Sequence, residues 1–289
     1  MLGIKFGPSG ISQSFYDEGH KSSAEMPEWL HKMGLEAYEY SFSRGVRISE
    51  KLALQLKENA EKFNITITIH APYYINLAAA EEEKIKNSKR YIIESLTAGN
   101  LMGAKRVTFH PGSASLDRRE ALDRAKRVLK EVIKEADDLG LGHITLCPET
   151  MGKKNQLGTL EEVLELCQLD ERLLPTVDFA HLHARDNGRF KSIEDYEEVL
   201  NTIEKYLGKD RAKVIHVHFS RIEFTEQGEK KHWTLLDKEY GPEFEPLAQL
   251  FYERNMEPIV ICESRERMAE DALELKRIYQ EVAKRVSKT

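Results

Sequence analysis

Eight short runs rich in β-formers, separated by longer charged amphipathic stretches, fill this chain of 289 residues from end to end. The runs cover residues 2–7, 35–41, 65–70, 105–110, 143–149, 174–178, 213–219 and 258–263. Several are rich in Val, Ile and Thr, as strands are. Their near-continuous apolar character predicts strands covered on both faces, hence a parallel sheet. Helical patterns occupy 49–63, 84–102, 118–139, 159–166, 193–207, 244–255 and 268–286. Ser49 and Thr159 stand as N-caps, and Thr159 has Glu162 three residues on, a capping box. Gly34, Gly103 and Gly140 fall where helices should stop in a left-handed residue. No linker rich in Pro, Gly or Ser divides the units. The expectation is one domain over residues 1–289, a (β/α)8 TIM barrel, for which about 250 residues is usual. A doubly wound open sheet is the alternative, but Phe6-Gly7-Pro8-Ser9-Gly10 is not the glycine-rich phosphate loop that fold wants.

The ends of the runs carry the chemistry. Run three ends in His70, run four in His110, run five in Glu149, run six in Asp178, run seven in His216 and His218, and run eight in Glu263. In a barrel the C-terminal strand ends converge on one mouth, where active sites are built. A lone carboxylate at a strand end is commonly only a helix cap, which would account for Asp178 by itself. Six metal-binding residue types in sequence order are not explained that way. Histidine with carboxylate selects Zn, Mn, Fe or Co over Mg or Ca. The supply exceeds one tetrahedral ion and suits a cluster in which a carboxylate bridges two ions about 3.5–4 Å apart. Glu149, central in the series, is the natural bridge.

Asp178-Phe179-Ala180-His181 adds His181 at neighbouring spacing, while His183 is expected to face solvent. His232, in the segment 221–240 expected to be a long loop, could join His181 around a further ion. His20 and His31 fall in the first β-α connection and helix, and His143 begins a strand at the barrel's other end, so none of the three is expected to be a ligand.

Composition bounds the rest. No apolar run approaches the roughly 18–20 residues needed to span a bilayer. Three scattered cysteines exclude a disulfide scaffold and suit a reducing, cytoplasmic compartment. The formal charge of -6 gives no basic footprint for nucleic acid.

The stretch His70-Ala71-Pro72-Tyr73-Tyr74-Ile75-Asn76-Leu77-Ala78 resembles the signature of endonuclease IV, the zinc-dependent apurinic/apyrimidinic-site endonuclease. His110-Pro111-Gly112-Ser113, Pro148-Glu149-Thr150 with Gly152, and Asp178-x-x-His181 are similar to further motifs of that family. They follow in the right order over nearly the whole chain. Some are shared with the wider xylose-isomerase-like barrels, sugar isomerases and epimerases among them.

The resemblance implies that His70, His110 and Glu149 hold one zinc. It implies that Glu149, Asp178, His218 and Glu263 hold a second, and that His181 and His232 belong to a third. Mn2+ or Fe2+ could replace Zn2+. It further implies that Tyr73 enters the DNA minor groove and that Arg44 approaches the backbone. The partner would be duplex DNA with an abasic site, the protein a monomer.

Two departures leave two or three ions open. His218-Phe219-Ser220-Arg221 replaces the family's His-x-Asn-Asp. Lys230 stands where the family has an aspartate, and a protonated lysine cannot ligate. Glu229 would take its place if the segment were re-registered. His216 is either a support for His218 or its replacement.

The expected reaction is hydrolysis of the phosphodiester 5′ to an abasic site. Glu149 would bridge the ions, and Glu263 would orient or deprotonate the nucleophile. A sugar isomerase or epimerase using one ion is the second expectation, and a DNA-binding member of weak activity the third.

Overall fold

The computed structural model describes residues 3–114 and 117–288. Leu2, where the first predicted run begins, lies outside them. Among the described residues eight strands form the barrel: β1 (Lys5–Pro8), β2 (Ala37–Ser41), β3 (Thr66–His70), β4 (Arg106–Phe109), β5 (Thr145–Pro148), β6 (Thr176–Asp178), β7 (His216–Phe219) and β8 (Ile259–Cys262). All pair in parallel. They run in two four-stranded sheets, β2-β3-β4-β5 and β6-β7-β8-β1.

Single parallel bridges, Ser9 with Glu39 and Glu149 with Thr176, join the two sheets at both seams and close the ring. At the β1–β2 seam the backbones approach so closely that a Cβ on Gly7 would lie 1.9 Å from the Ala37 carbonyl oxygen. Only glycine fits there.

Around the ring lie α1 (Met26–Met33), α2 (Glu50–Phe63), α3 (Glu82–Met102), α4 (Arg118–Asp138), α5 (Leu160–Cys167), α6 (Ile193–Leu207), α7 (Glu245–Glu253) and α8 (Met268–Val286). The protein is thus an α/β TIM barrel of parallel strands. The helix signals hold locally. The Ser49 hydroxyl accepts from the Leu52 amide, and Thr159 and Glu162 form the capping box. Gly34, Gly103 and Gly140 have φ of 85°, 70° and 70°.

The strands alternate rather than reading apolar on both faces. Phe6, Ile67, Ile69, Val107, Phe109, Leu146, Val177, Val217, Phe219 and Val260 face outward into one core with Leu56, Leu96, Leu129, Val163 and Leu275 of the helices. Inside the ring only Ala37, Ile259 and Ile261 make a separate small apolar cluster. The remaining inner wall is polar. Thr108 and Thr176 hydroxyls meet across it at 2.9 Å, and Arg106 reaches over to the Val214 carbonyl at 2.7 Å. The apolar surface needed for stability is therefore buried under the helices. That arrangement leaves the barrel interior to polar side chains.

Two predicted boundaries differ. Lys213 ends a short helix, Lys209–Lys213, and β7 begins only at His216. The expected loop after β7 folds back as an antiparallel hairpin, Arg221–Thr225 with Gly228–Trp233. Its first strand, Arg-Ile-Glu-Phe-Thr, has the period-2 alternation of a strand under its charge. Among the described residues no helix is long and apolar enough to cross a membrane.

Candidate metal centre

Each inward residue at a strand's C-terminal end projects into one small volume, because the barrel brings β3 to β8 to a common rim. His70 Nε2 lies 3.1 Å and His110 Nε2 3.2 Å from Glu149 Oε2. His218 Nδ1 lies 3.1 Å from the other oxygen, Glu149 Oε1, and 3.3 Å from Glu263 Oε1. Glu149, fully buried, thus turns one oxygen to each side. Asp178 uses Oδ1 to cap the following short helix, accepting the His181 amide at 2.8 Å. Its buried Oδ2 has no hydrogen-bond partner.

Tautomers can be assigned from the outer contacts. His70 Nδ1 lies 2.8 Å from the Ala71 carbonyl, and His181 Nδ1 2.9 Å from the Thr150 carbonyl. A carbonyl only accepts, so those nitrogens carry the protons. His70 Nε2 then faces a carboxylate oxygen with a lone pair. His181 Nε2 likewise faces His232 Nε2 at 3.2 Å and Glu229 Oε2 at 3.5 Å. A lone pair thus faces a carboxylate oxygen in both places, His70 against Glu149 and His181 against Glu229. Such packing demands a cation in the gap, either a proton or a metal ion.

The titration directions agree. Burial alone would lower His70 and His181, yet Glu149 beside the first and Asp178 and Glu229 beside the second push each up to about 9. Burial would raise Glu149, but His218, His110 and His70 hold it well below the carboxylate range. Burial raises Asp178.

The donor atoms fall into overlapping groups that could each hold an ion. At the mouth they are His70, His110 and Glu149; Glu149, Asp178, His218 and Glu263; and Asp178, His181 and His232, while Glu39, His216 and His218 form a fourth group beneath them. Nitrogen and carboxylate donors in this mixture fit a transition-metal ion better than Mg2+ or Ca2+.

Lys230 does not face this volume. The hairpin's register shifts between Glu223 and Phe224, so that Glu223 pairs with Lys231 and Phe224 with Glu229. Lys230 is the extra residue of a bulge, which re-aims side chains. It reaches outward to Glu223 at 2.5 Å, and Glu229 is turned inward beside His181 instead.

His183, expected in solvent, is buried. Its ring lies parallel to Phe190, its Nδ1 accepts the Phe190 amide, and burial lowers it to about 4. His20 bonds Glu25, and His31 and His143 are exposed; none of them belongs to a donor group.

The mouth opens as a cleft of about 380 Å³ walled by Ser41, Ser43, Tyr73, Lys153 and Gln156 around the histidines and Glu263. Tyr73 and Tyr74 are half exposed at its rim, with rings 4.3 Å apart. Arg44 is exposed on the turn after β2.

Glu39 escaped the sequence reading altogether. It lies fully buried beneath the cluster, 2.9 Å from His216 Nε2 and 3.0 Å from His218 Nε2. The signal was a carboxylate in the middle of a β-rich run rather than at its end.

Comparison with known proteins follows the same lines. An uncharacterized protein of Methanocaldococcus jannaschii is 34% identical over 96% of this chain and 97% of its own length. A probable endonuclease 4 of Mycoplasma genitalium is 34% identical over 54% of this chain and 52% of its own. One from Staphylococcus aureus is 27% identical over 70% and 73%. The crystal structure of endonuclease IV from Thermus thermophilus superposes with a TM-score of 0.73 at 22% identity, covering 97% of this chain and 99% of that one. A D-tagatose 3-epimerase-like protein does so at 0.74 and 22%, covering 98% and 100%. With its closed parallel ring, its polar mouth and a match to the family model over residues 27–284, the chain belongs to the xylose isomerase-like TIM barrel family.

Proposed function

We propose that this protein is a metal-dependent endonuclease of the endonuclease IV type that cleaves DNA 5′ to abasic sites, in the service of base excision repair. The observation that carries this reading is the sharing of Glu149 between two donor groups, with a third group alongside. An isomerase needs one ion and would leave His70, His110, His181 and His232 without work. The relatives that bear the name probable endonuclease 4 support it.

Zinc is the ion of choice for this histidine-rich set, with Mn2+ or Fe2+ as substitutes. His70, His110 and Glu149 would hold one ion, and Glu149, Asp178, His218 and Glu263 a second. His181 and His232 would hold a third with Glu229, which answers the objection from Lys230. When bound, such ions supply charge that polarises a phosphoryl oxygen and makes water acidic near neutral pH.

The chain's own residues do the rest. Glu263, partly exposed at the mouth, orients the attacking water and takes its proton. Tyr73, on the rim, enters the minor groove at a base step, and Arg44 meets a phosphate. An abasic nucleotide unstacks at little cost, so extrusion into the cleft supplies selectivity. The formal charge of -6 is no obstacle, since Glu149, Asp178 and Glu263 are neutralised in the loaded site. Three free, buried cysteines suit a cytoplasmic monomer.

A second reading, a sugar isomerase or epimerase, has one favouring observation. Glu149, Asp178, His218 and Glu263 make a complete four-donor set by themselves.

One experiment separates the two: incision of a duplex with a single tetrahydrofuran abasic analogue, with metal quantified on the same sample. Chelator-sensitive cutting with two or more ions per chain is expected. One ion, no cutting with any divalent metal, and turnover of a ketose would overturn the endonuclease.

A further inference from the structure

The wall of the mouth cleft is made largely of groups that attract cations, His70, His110, His181, His232, Glu229 and Glu263. One lysine stands among them. Lys153 is the only lysine or arginine among the described residues that line the cleft. Its ammonium makes no hydrogen bond or ion pair there, and Glu229 feels it only through space. An unpaired ammonium beside a centre built to hold cations repels them, so the fold itself has no use for it. An anion arriving in the cleft does.

The next residue shows what a paired lysine looks like in the same segment. With the Asn187 amide nitrogen donating to the Thr225 carbonyl, the Asn187 oxygen accepts the Lys154 ammonium at 2.9 Å. The Lys153 side chain has no such tether, yet its backbone is firmly held. Its carbonyl accepts Arg185 Nη1 at 2.7 Å and the Gln156 amide at 3.1 Å. It forms an antiparallel bridge with Gly228 of the hairpin. The Gly152 carbonyl accepts the Glu229 amide at 3.1 Å, and the Lys154 amide donates to the Gln227 carbonyl at 3.2 Å. Two glycines permit this approach. A Cβ on Gly228 would lie 2.1 Å from the Gly152 carbonyl oxygen, and one on Gly152 would lie 2.6 Å from the Glu229 Cβ. The root of the Lys153 side chain is therefore fixed against the hairpin that carries Glu229 and His232. Only its stem has to be ordered when something binds.

We infer that Lys153 is a substrate-binding residue whose ammonium takes a non-bridging oxygen of a DNA backbone phosphate at the mouth. This inference rests on the endonuclease reading above. A neutral ketose offers the ammonium no charge, whereas a phosphodiester backbone offers one at every nucleotide. A point charge on a flexible stem suits a phosphate in any sequence. The contact forms when substrate binds and persists through the reaction, so it is expected in KM rather than in kcat.

The test uses the metal-loaded full chain and a duplex with a single tetrahydrofuran abasic analogue. KM and kcat for incision are measured at several salt concentrations, with metal content checked on each preparation. Lys153→Gln should raise KM about tenfold, leave kcat within about twofold and keep the metal content of the wild type. The slope of log(kcat/KM) against log salt should shrink by about 1, the loss of one phosphate contact. Lys153→Arg, which keeps the charge, should retain the wild-type slope, and so should Lys154→Gln.

A wild-type chain that cuts while Lys153→Gln leaves KM and slope unchanged would overturn this inference and leave the endonuclease reading intact. Equal loss of slope from Lys153→Gln and Lys154→Gln would reduce the effect to general surface charge and overturn it as well, as would a loss confined to kcat. A wild-type chain that leaves the duplex uncut with any divalent metal would overturn the endonuclease reading, and this inference with it.

Discussion

Glu149 has one oxygen facing His70 and His110 and the other facing His218. Asp178 is likewise common to the second and third groups, but its Oδ1 is taken up by the His181 amide. Glu149→Gln keeps the volume but replaces one oxygen with a donor. Under the proposed function it should bind at least one ion fewer and lose incision by a factor of about 10²–10³. Metal content and incision on one preparation check this, and retained activity would remove the bridge. Glu229 and Lys230 allow a sharper comparison, because they are neighbours with opposite orientations. Glu229→Gln should lower ion stoichiometry by one, whereas Lys230→Ala should leave it unchanged. The reverse result would mean that the bulge does not persist in solution. The sequence could name His181 and His232 but not choose between Glu229 and Lys230. A bulge moves every side chain beyond it by one step, and no residue pattern in 221–233 announces one. Glu39 was missed for a different reason. A carboxylate at a strand end marks the mouth, and Glu39 lies one layer below it, within β2.

The helices were more legible than the strands. Met268–Val286 and Ile193–Leu207 fall where the apolar period puts them, since caps and periodicity are local properties. The strands' positions were readable, but their inner faces were not. A run such as Thr66-Ile67-Thr68-Ile69-His70 gives the alternation, yet the purpose of threonine inside a ring appears only when Thr68 meets Glu39 and Thr108 meets Thr176.

One cap links the two kinds of element. Thr159 starts α5, and Glu162 closes the capping box while also pairing with Arg118 at the start of α4. The same arginine, with Arg185, bonds carbonyls of residues 154 and 156, the segment that walls the cleft. Thr159→Ala should cost about 1 kcal/mol. A urea midpoint lowered without a change in slope is the expected readout. A neutral result would mean that Glu162 holds the helix start through Arg118 alone.

At the scale of the whole molecule, the two seams are the weak places of the ring, each held by a single bridge. They are not equivalent. The β1–β2 seam is packed on Gly7, and Gly7→Ala must push the backbones apart or fail to fold. The β5–β6 seam lies under the cluster, and the candidate donors straddle it. His70, His110 and Glu149 come from one sheet, while Asp178, His218 and Glu263 come from the other. Ions held there would cross-link the two halves of the barrel over a seam that a single bridge closes. Binding to the folded state at a thousand times Kd adds about 4 kcal/mol, and at about 2–4 °C per kcal/mol that raises Tm on the order of 10 °C.

The location of the effect is the stronger test. Hydrogen exchange of the Thr150 amide, which bonds the Thr176 carbonyl across the β5–β6 seam, should slow markedly on loading. The Gly10 amide, which bonds the Glu39 carbonyl across the β1–β2 seam, should respond less. Equal protection at both seams would mean that the ions stabilise the fold as a whole without joining its halves.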